Sequence, residues 1–117
     1  LWHGVKASSV LATMREGLRM PAPESTVGLM FGRGIYLTDS FSKAANAAAT
    51  QQVTDQGTHY GVVFLCEAAL GEMHKAYEPE PFVNGLPLYY HSVYGVGQQK
   101  PAISGLKDLN SPEFAIN

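Results

Sequence analysis

The sequence predicts an α+β fold, and three features carry that expectation. Short runs of strand composition, LWHG, HYGVVFLCEAALGE, YYHSVYGVG and EFAIN, are separated by turn-forming residues. Two stretches, VKASSVLATMREGL and SFSKAANAAAT, carry helical spacing or helical composition. The alternating strand and helix rhythm of a parallel sheet is missing, so the pairing is expected to be mainly antiparallel. At 117 residues the chain can bury one core but not two, which sets a single domain over residues 1–117.

Taken in order, LWHG reads as a short strand end. Val10, Leu11 and Met14 then fall at helical spacing, and Gly17 stands where a helix of about ten residues would stop. RMPAPESTVGLMFGRG carries Pro21, Pro23, Gly28, Gly32 and Gly34 without a sustained period, the composition of a long ordered loop. Loops of that length in a compact domain are usually functional or mobile. GIYLTD is expected to be a short strand, and Asp39 or Ser40 can cap the next helix, whose alanines favour helix and permit close packing. After the polar turn QQVTDQGT, HYGVVFLCEAALGE is the clearest strand, apolar enough for burial on both faces. EPEPFVNGLP reads as a surface loop, YYHSVYGVG as a short strand ending at a glycine bend, QQKPAISGLKDLNSP as a loop and EFAIN as a last strand.

Composition excludes several roles. Hydrophobic residues make up 45% and charged residues 15%, a globular balance rather than a disordered one. With a formal net charge of −2 and 8 scattered Lys and Arg, the chain lacks the basic stripe of a domain that binds nucleic acid by charge, so no direct DNA-binding patch is expected. Cys66 is the sole cysteine, which rules out an intrachain disulfide and a cysteine-rich zinc site and fits an intracellular, nuclear or cytoplasmic, setting. His3, His59, His74 and His91 show no metal-ligand spacing, and no metal is expected. The apolar run Val62 to Cys66 is far below the roughly 20 residues of a membrane helix, so no membrane role is expected. The sequence starts and stops within strand-like residues, and it is expected to be cut from a longer chain.

Several residues have chemistry worth weighing. His3 can hydrogen-bond a hydroxyl, and the following Gly4 lets a flat ligand approach the backbone. A lone histidine at a strand end is more often structural, and a single motif carries a high false-positive risk. Tyr36 lies between Gly34 and a capped helix, where its ring can wall a cleft and stack on a planar ligand; core packing is the ordinary alternative. Lys43, in the first turn of that helix, can face the same cleft or simply be solvated, and Ala44, Ala47 and Ala48 can form a packing face. Glu113, between Pro112 and Phe114, is a candidate acid, base or hydroxyl acceptor, whereas Glu67 reads as a structural carboxylate.

Taken together in order, LWHG, GLRMPAPESTVGLMFGRGIYLTDSFSKAAN, GVVFLCEAALGEM, YHSVYGVG and PEFAIN resemble the catalytic domain of the poly(ADP-ribose) polymerases, the diphtheria-toxin-like ADP-ribosyltransferases. The resemblance spans essentially the whole chain and implies two packed, mainly antiparallel sheets around a cleft for NAD. It implies transfer of ADP-ribose from NAD to a protein or nucleic-acid acceptor, with release of nicotinamide. The family's histidine, tyrosine and glutamate fall on His3, Tyr36 and Glu113. By this resemblance His3 would bond the adenosine ribose, Gly4 would pair its backbone with the nicotinamide carboxamide, and Tyr36 would stack on the nicotinamide ring. Glu113 would accept a bond from the nicotinamide ribose and orient the acceptor. Residues 19–33 correspond to the donor loop, with Arg19 a phosphate or adenine-side contact, and Lys43 matches a lysine lining the cleft.

The chain departs from the family pattern at four cleft positions. Ala44 stands where members usually have a serine that bonds the carboxamide, and Ala47 where a second stacking tyrosine is usual. One lost hydrogen bond and one lost aromatic contact are each worth about 0.5–1.5 kcal/mol, together about tenfold to a hundredfold in NAD affinity. Val5 and Leu29 replace more polar or aromatic cleft residues. The loop from Gly97 to Pro112 is short beside relatives, which favours single units or short chains. A regulatory helical domain before residue 1 and the strands that follow EFAIN in relatives are expected to be missing. The rivals are a pseudoenzyme that binds NAD or ADP-ribose without transfer, and an NAD glycohydrolase with water as acceptor.

Overall fold

The computed structural model describes residues 1–23, 29–49, 53–82 and 85–97. Among these, six strands and two α-helices form an α+β arrangement: β1 (Trp2–Val5), α1 (Val10–Glu16), α2 (Phe41–Ala49), β2 (Val53–Asp55), β3 (Thr58–Tyr60), β4 (Val62–Leu65), β5 (Met73–Ala76) and β6 (Ser92–Gly95). The predicted strand EFAIN, Glu113 and the 98–112 loop lie outside the described residues.

Local chemistry accounts for the boundaries. A single 3-10 turn, Ala7–Ser9, leads into α1, and together they cover the predicted helix. Gly17 ends it with φ 77°, donating its N–H to the Thr13 carbonyl at 2.9 Å, a backbone state that favours glycine. Ser40 starts α2: its Oγ accepts the Lys43 N–H at 3.4 Å, and its own N–H donates to Thr38 Oγ1 at 3.1 Å. Of the two predicted caps, Ser40 is the one that closes onto the helix. Gln56 and Gly57, with φ 47° and 82°, make the two-residue turn that joins β2 to β3 as a hairpin.

The site rests on β1, β4 and α2. β1 pairs with β4 antiparallel, Trp2 opposite Leu65 and Gly4 opposite Val63, and the ladder continues through Leu1 and Cys66, which exchange two backbone bonds of 2.7 Å. α2 crosses this pair and presents Ala44 and Ala48, only 2% and 1% exposed, to it. The approach is limited by backbone: a Cβ built on Gly4 would collide with the Ala44 carbonyl oxygen and stand 3.0 Å from Ala48 N. Val5, 4% exposed, completes this small core, and Trp2 meets Phe41 edge to face at 5.2 Å.

Four sequence expectations change. QQVTDQGT, expected as a polar turn, contains strand β2, which pairs antiparallel with β3 about the Gln56–Gly57 turn. HYGVVFLCEAALGE is not one strand: it breaks at Gly61 into β3 and β4, and Val62, Val63 and Phe64 are half-buried because α2 covers the pair from one side. GIYLTD does not form a strand, since only Thr38 bridges to Trp2. β5, MHKA, was not foreseen because its His and Lys hide the strand pattern, and it pairs with β6 in parallel, Met73 opposite Ser92 and Ala76 opposite Gly95. Residues 77–91 supply the long connection that a parallel pair needs.

Gly4→Ala is expected to lower stability by about 1–3 kcal/mol, the usual cost of overpacking, because the new methyl group meets helix backbone rather than a side chain that can turn away. Chemical denaturation measures this, and an unchanged midpoint would contradict the packing described.

Candidate functional site

The candidate site lies on the edge of β1 that faces away from β4. In an antiparallel ladder, successive residues point their N–H and C=O groups to alternate sides. Leu1 bonds toward β4 through Cys66, and Trp2 bonds the other way, donating to the Thr38 carbonyl at 2.7 Å and accepting the Thr38 N–H at 3.0 Å. Gly4 therefore turns its N–H and C=O to the same open edge as Trp2. Continued by the same count, this pairing would set Tyr36 opposite Gly4. The Tyr36 carbonyl instead meets His3 Nδ1 at 2.7 Å, and the segment leaves β1 at that point. One backbone donor and one backbone acceptor stand side by side at Gly4, next to His3 and Tyr36.

Two of the predicted residues are thus brought together by a direct bond. A carbonyl oxygen only accepts, so His3 Nδ1 must carry the proton, and in the neutral ring Nε2 is left as an acceptor. That form suits a hydroxyl donor such as a sugar. The Tyr36 hydroxyl is already committed to the turn before it, accepting the Phe31 N–H at 3.1 Å and donating to the Gly32 carbonyl at 2.9 Å. Tyr36 offers its ring rather than its hydroxyl, and the residue is 38% exposed.

The other candidates divide. Ala44 touches the site from beneath, buried against Gly4, whereas Ala47 is exposed on the same helix. The Lys43 side chain is exposed one residue away from Ala44. Arg19, with a side chain 71% exposed, pairs with Glu16 at 3.0 Å at the end of α1. Val5 belongs to the core and Leu29 opens the Leu29–Gly32 turn. Glu113 lies outside the described residues.

Arg33 is a further residue that no pattern in the sequence marks out. Its Nε donates to the Pro21 carbonyl at 2.8 Å and ties the two arms of the predicted long loop together. What the sequence shows there is a guanidinium set between Gly32 and Gly34, in a stretch where the backbone otherwise has few side chains to hold it. A concavity along His74–Glu80 includes none of the predicted site residues and is spanned by its own His74–Glu80 pair at 3.1 Å.

Tyr36→Phe removes both hydroxyl bonds to the Leu29–Gly32 turn and is expected to cost about 1–2 kcal/mol in chemical denaturation. A midpoint equal to that of the unaltered chain would contradict the role given to the hydroxyl.

Comparison with known proteins identifies the family. The family model for the poly(ADP-ribose) polymerase catalytic domain matches residues 1–114. Poly [ADP-ribose] polymerase 2-A of Oryza sativa subsp. japonica is 40% identical over 102 residues, covering 86% of this chain and 15% of the relative. Poly [ADP-ribose] polymerase 2 of Homo sapiens is 35% identical over 111 residues, 94% of this chain and 18% of the relative. Poly [ADP-ribose] polymerase 1 of Danio rerio is 35% identical over 117 residues, 99% of this chain and 11% of the relative. The chain thus spans less than a fifth of the length of these three relatives. It belongs to the poly(ADP-ribose) polymerase catalytic domain family, a family of NAD-dependent ADP-ribosyltransferases with the ADP-ribosyltransferase fold.

Proposed function

We propose that this domain transfers ADP-ribose from NAD to a macromolecular acceptor, protein or nucleic acid, as single units or short chains, and releases nicotinamide. The observation that carries the reading is the open edge at Gly4 beside the His3–Tyr36 pair. A primary carboxamide has one acceptor oxygen and N–H donors, the complement of the Gly4 N–H and C=O. The half-exposed Tyr36 ring stacks on nicotinamide, and His3 Nε2 accepts a hydroxyl proton from the adenosine ribose. Arg19 and Lys43 serve the phosphate or adenine side and the cleft wall.

Breaking the bond between ribose and nicotinamide develops positive character at the sugar. Glu113, which the family match includes, stabilises that charge, accepts a bond from the nicotinamide ribose hydroxyl and orients the acceptor. Nicotinamide leaves as a neutral base, so the protein's main task is to position and desolvate the reactants. Orientation of this kind contributes up to about 7–11 kcal/mol. In this reading the described strands and helices are the NAD-cleft part of two packed, mainly antiparallel sheets.

A second reading is favoured by the helix that faces the site. α2 presents Ala44, buried, and Ala47, exposed, so it supplies neither a hydroxyl nor a ring to the carboxamide side. On that reading the domain binds NAD or ADP-ribose without transferring it. An NAD glycohydrolase, with water as acceptor, is the third.

Incubating the chain with NAD labelled in the ADP-ribose part separates them. Transfer predicts label on the chain itself or on an added protein, lost by at least about a hundredfold in Glu113→Gln and His3→Ala. Nicotinamide released without a labelled acceptor identifies the hydrolase. Saturable NAD binding without turnover identifies the pseudoenzyme. Ala47→Tyr, at an exposed position, is expected to tighten benzamide binding about threefold to tenfold by calorimetry, and no change would remove Ala47 from the nicotinamide wall.

A further inference from the structure

Tyr36 is held by the Leu29–Gly32 turn, and the turn is held by residues outside the site. Gly32 has φ 77° and faces the backbone of Phe82: a Cβ there would stand 3.1 Å from both Phe82 N and O. Phe31 lies over Gly95, the last residue of β6. A Cβ on Gly95 would be 2.6 and 2.7 Å from two carbons of the Phe31 ring, closer than real atoms approach. The seat itself is firm, because Gly95 pairs with Ala76, 3% exposed, and Val96 donates to the Ala76 carbonyl at 2.8 Å.

We infer that Phe31 and Gly95 form a latch that positions Tyr36 for the ligand, although neither touches the open edge at Gly4. The path is short and physical. The Phe31 ring seats the turn on β6, the seated turn aims the Phe31 N–H and the Gly32 carbonyl at one point, and the Tyr36 hydroxyl occupies that point with bonds of 3.1 and 2.9 Å. The Tyr36 carbonyl meanwhile sets the tautomer of His3 at 2.7 Å. The parallel pair β5–β6 therefore fixes the aim of two site residues through one aromatic ring and one missing side chain. Gly95 and Phe31 are positioning residues, and their importance for binding rests on the function proposed above.

The test compares the unaltered full chain with Gly95→Ala, Phe31→Leu and the double variant. Benzamide affinity is read by calorimetry, and the ring signals of 13C-labelled tyrosine, assigned through Tyr36→Phe, are read by NMR without ligand. Gly95→Ala is expected to shift the Tyr36 ring signals and weaken benzamide about tenfold. Phe31→Leu in the Gly95→Ala background relieves the clash, so the double variant binds within about twofold of Phe31→Leu alone. Unmoved Tyr36 signals in Gly95→Ala, or losses that simply multiply in the double variant, overturn the latch. Should Gly95→Ala fail to fold, Phe31→Leu must still move the Tyr36 signals, and signals that stay in place overturn it equally. If the unaltered chain does not bind benzamide, the carboxamide reading fails, while the Tyr36 signals continue to test the latch.

Discussion

Ala44 and Ala48 reach β1 at backbone distance because Gly4 carries no side chain, and most of the molecule near the site is arranged around that contact. Any Cβ at residue 4 would lift α2 from the sheet and open the small core of Val5, Ala44 and Ala48. The same residue keeps its N–H and C=O on the open edge of the strand. Packing on one side and, on the proposed reading, carboxamide recognition on the other thus meet at one residue. Trp2 against Phe41 and Ser40 at the helix start fix where α2 lies along the strand.

Around that contact the site is assembled from backbone more than from side chains. Gly4 contributes peptide groups, and Tyr36 uses its carbonyl for His3 and its hydroxyl for the preceding turn. This matters for the two alanines of α2. A site whose first contact is a peptide donor and acceptor can lose a neighbouring hydroxyl or ring and still recognise a carboxamide, with each loss costing about 0.5–1.5 kcal/mol. Ala44 also has a structural reason to be small, since it is pressed against the strand, whereas Ala47 is exposed.

Those features written in local composition were legible before the structure. Glycine ends α1 as expected, a serine caps α2, and the alanines pack it closely, because propensity and capping act within a turn or two of the residue. His3, Gly4 and Tyr36 were singled out from the sequence, but their grouping depends on contacts between distant residues. No spacing rule announces that Tyr36 leaves β1 opposite Gly4, or that its hydroxyl is spent on Phe31 and Gly32. β5 was hidden because His74 and Lys75 interrupt its apolar pattern, and its parallel pairing to β6 is set by the 77–91 connection. Arg33 was hidden by the glycines around it, which read as loop and say nothing of the Pro21 carbonyl across the arms.

On the proposed reading, Gly4 presents a carboxamide-binding edge beside His3 and Tyr36. Titrating benzamide into the 15N-labelled chain tests it directly. Saturable movement of the Gly4 amide is expected, with the His3 and Tyr36 amides following at the same affinity. Saturable movement centred on residues 74–80, with the Gly4 amide stationary, would contradict it.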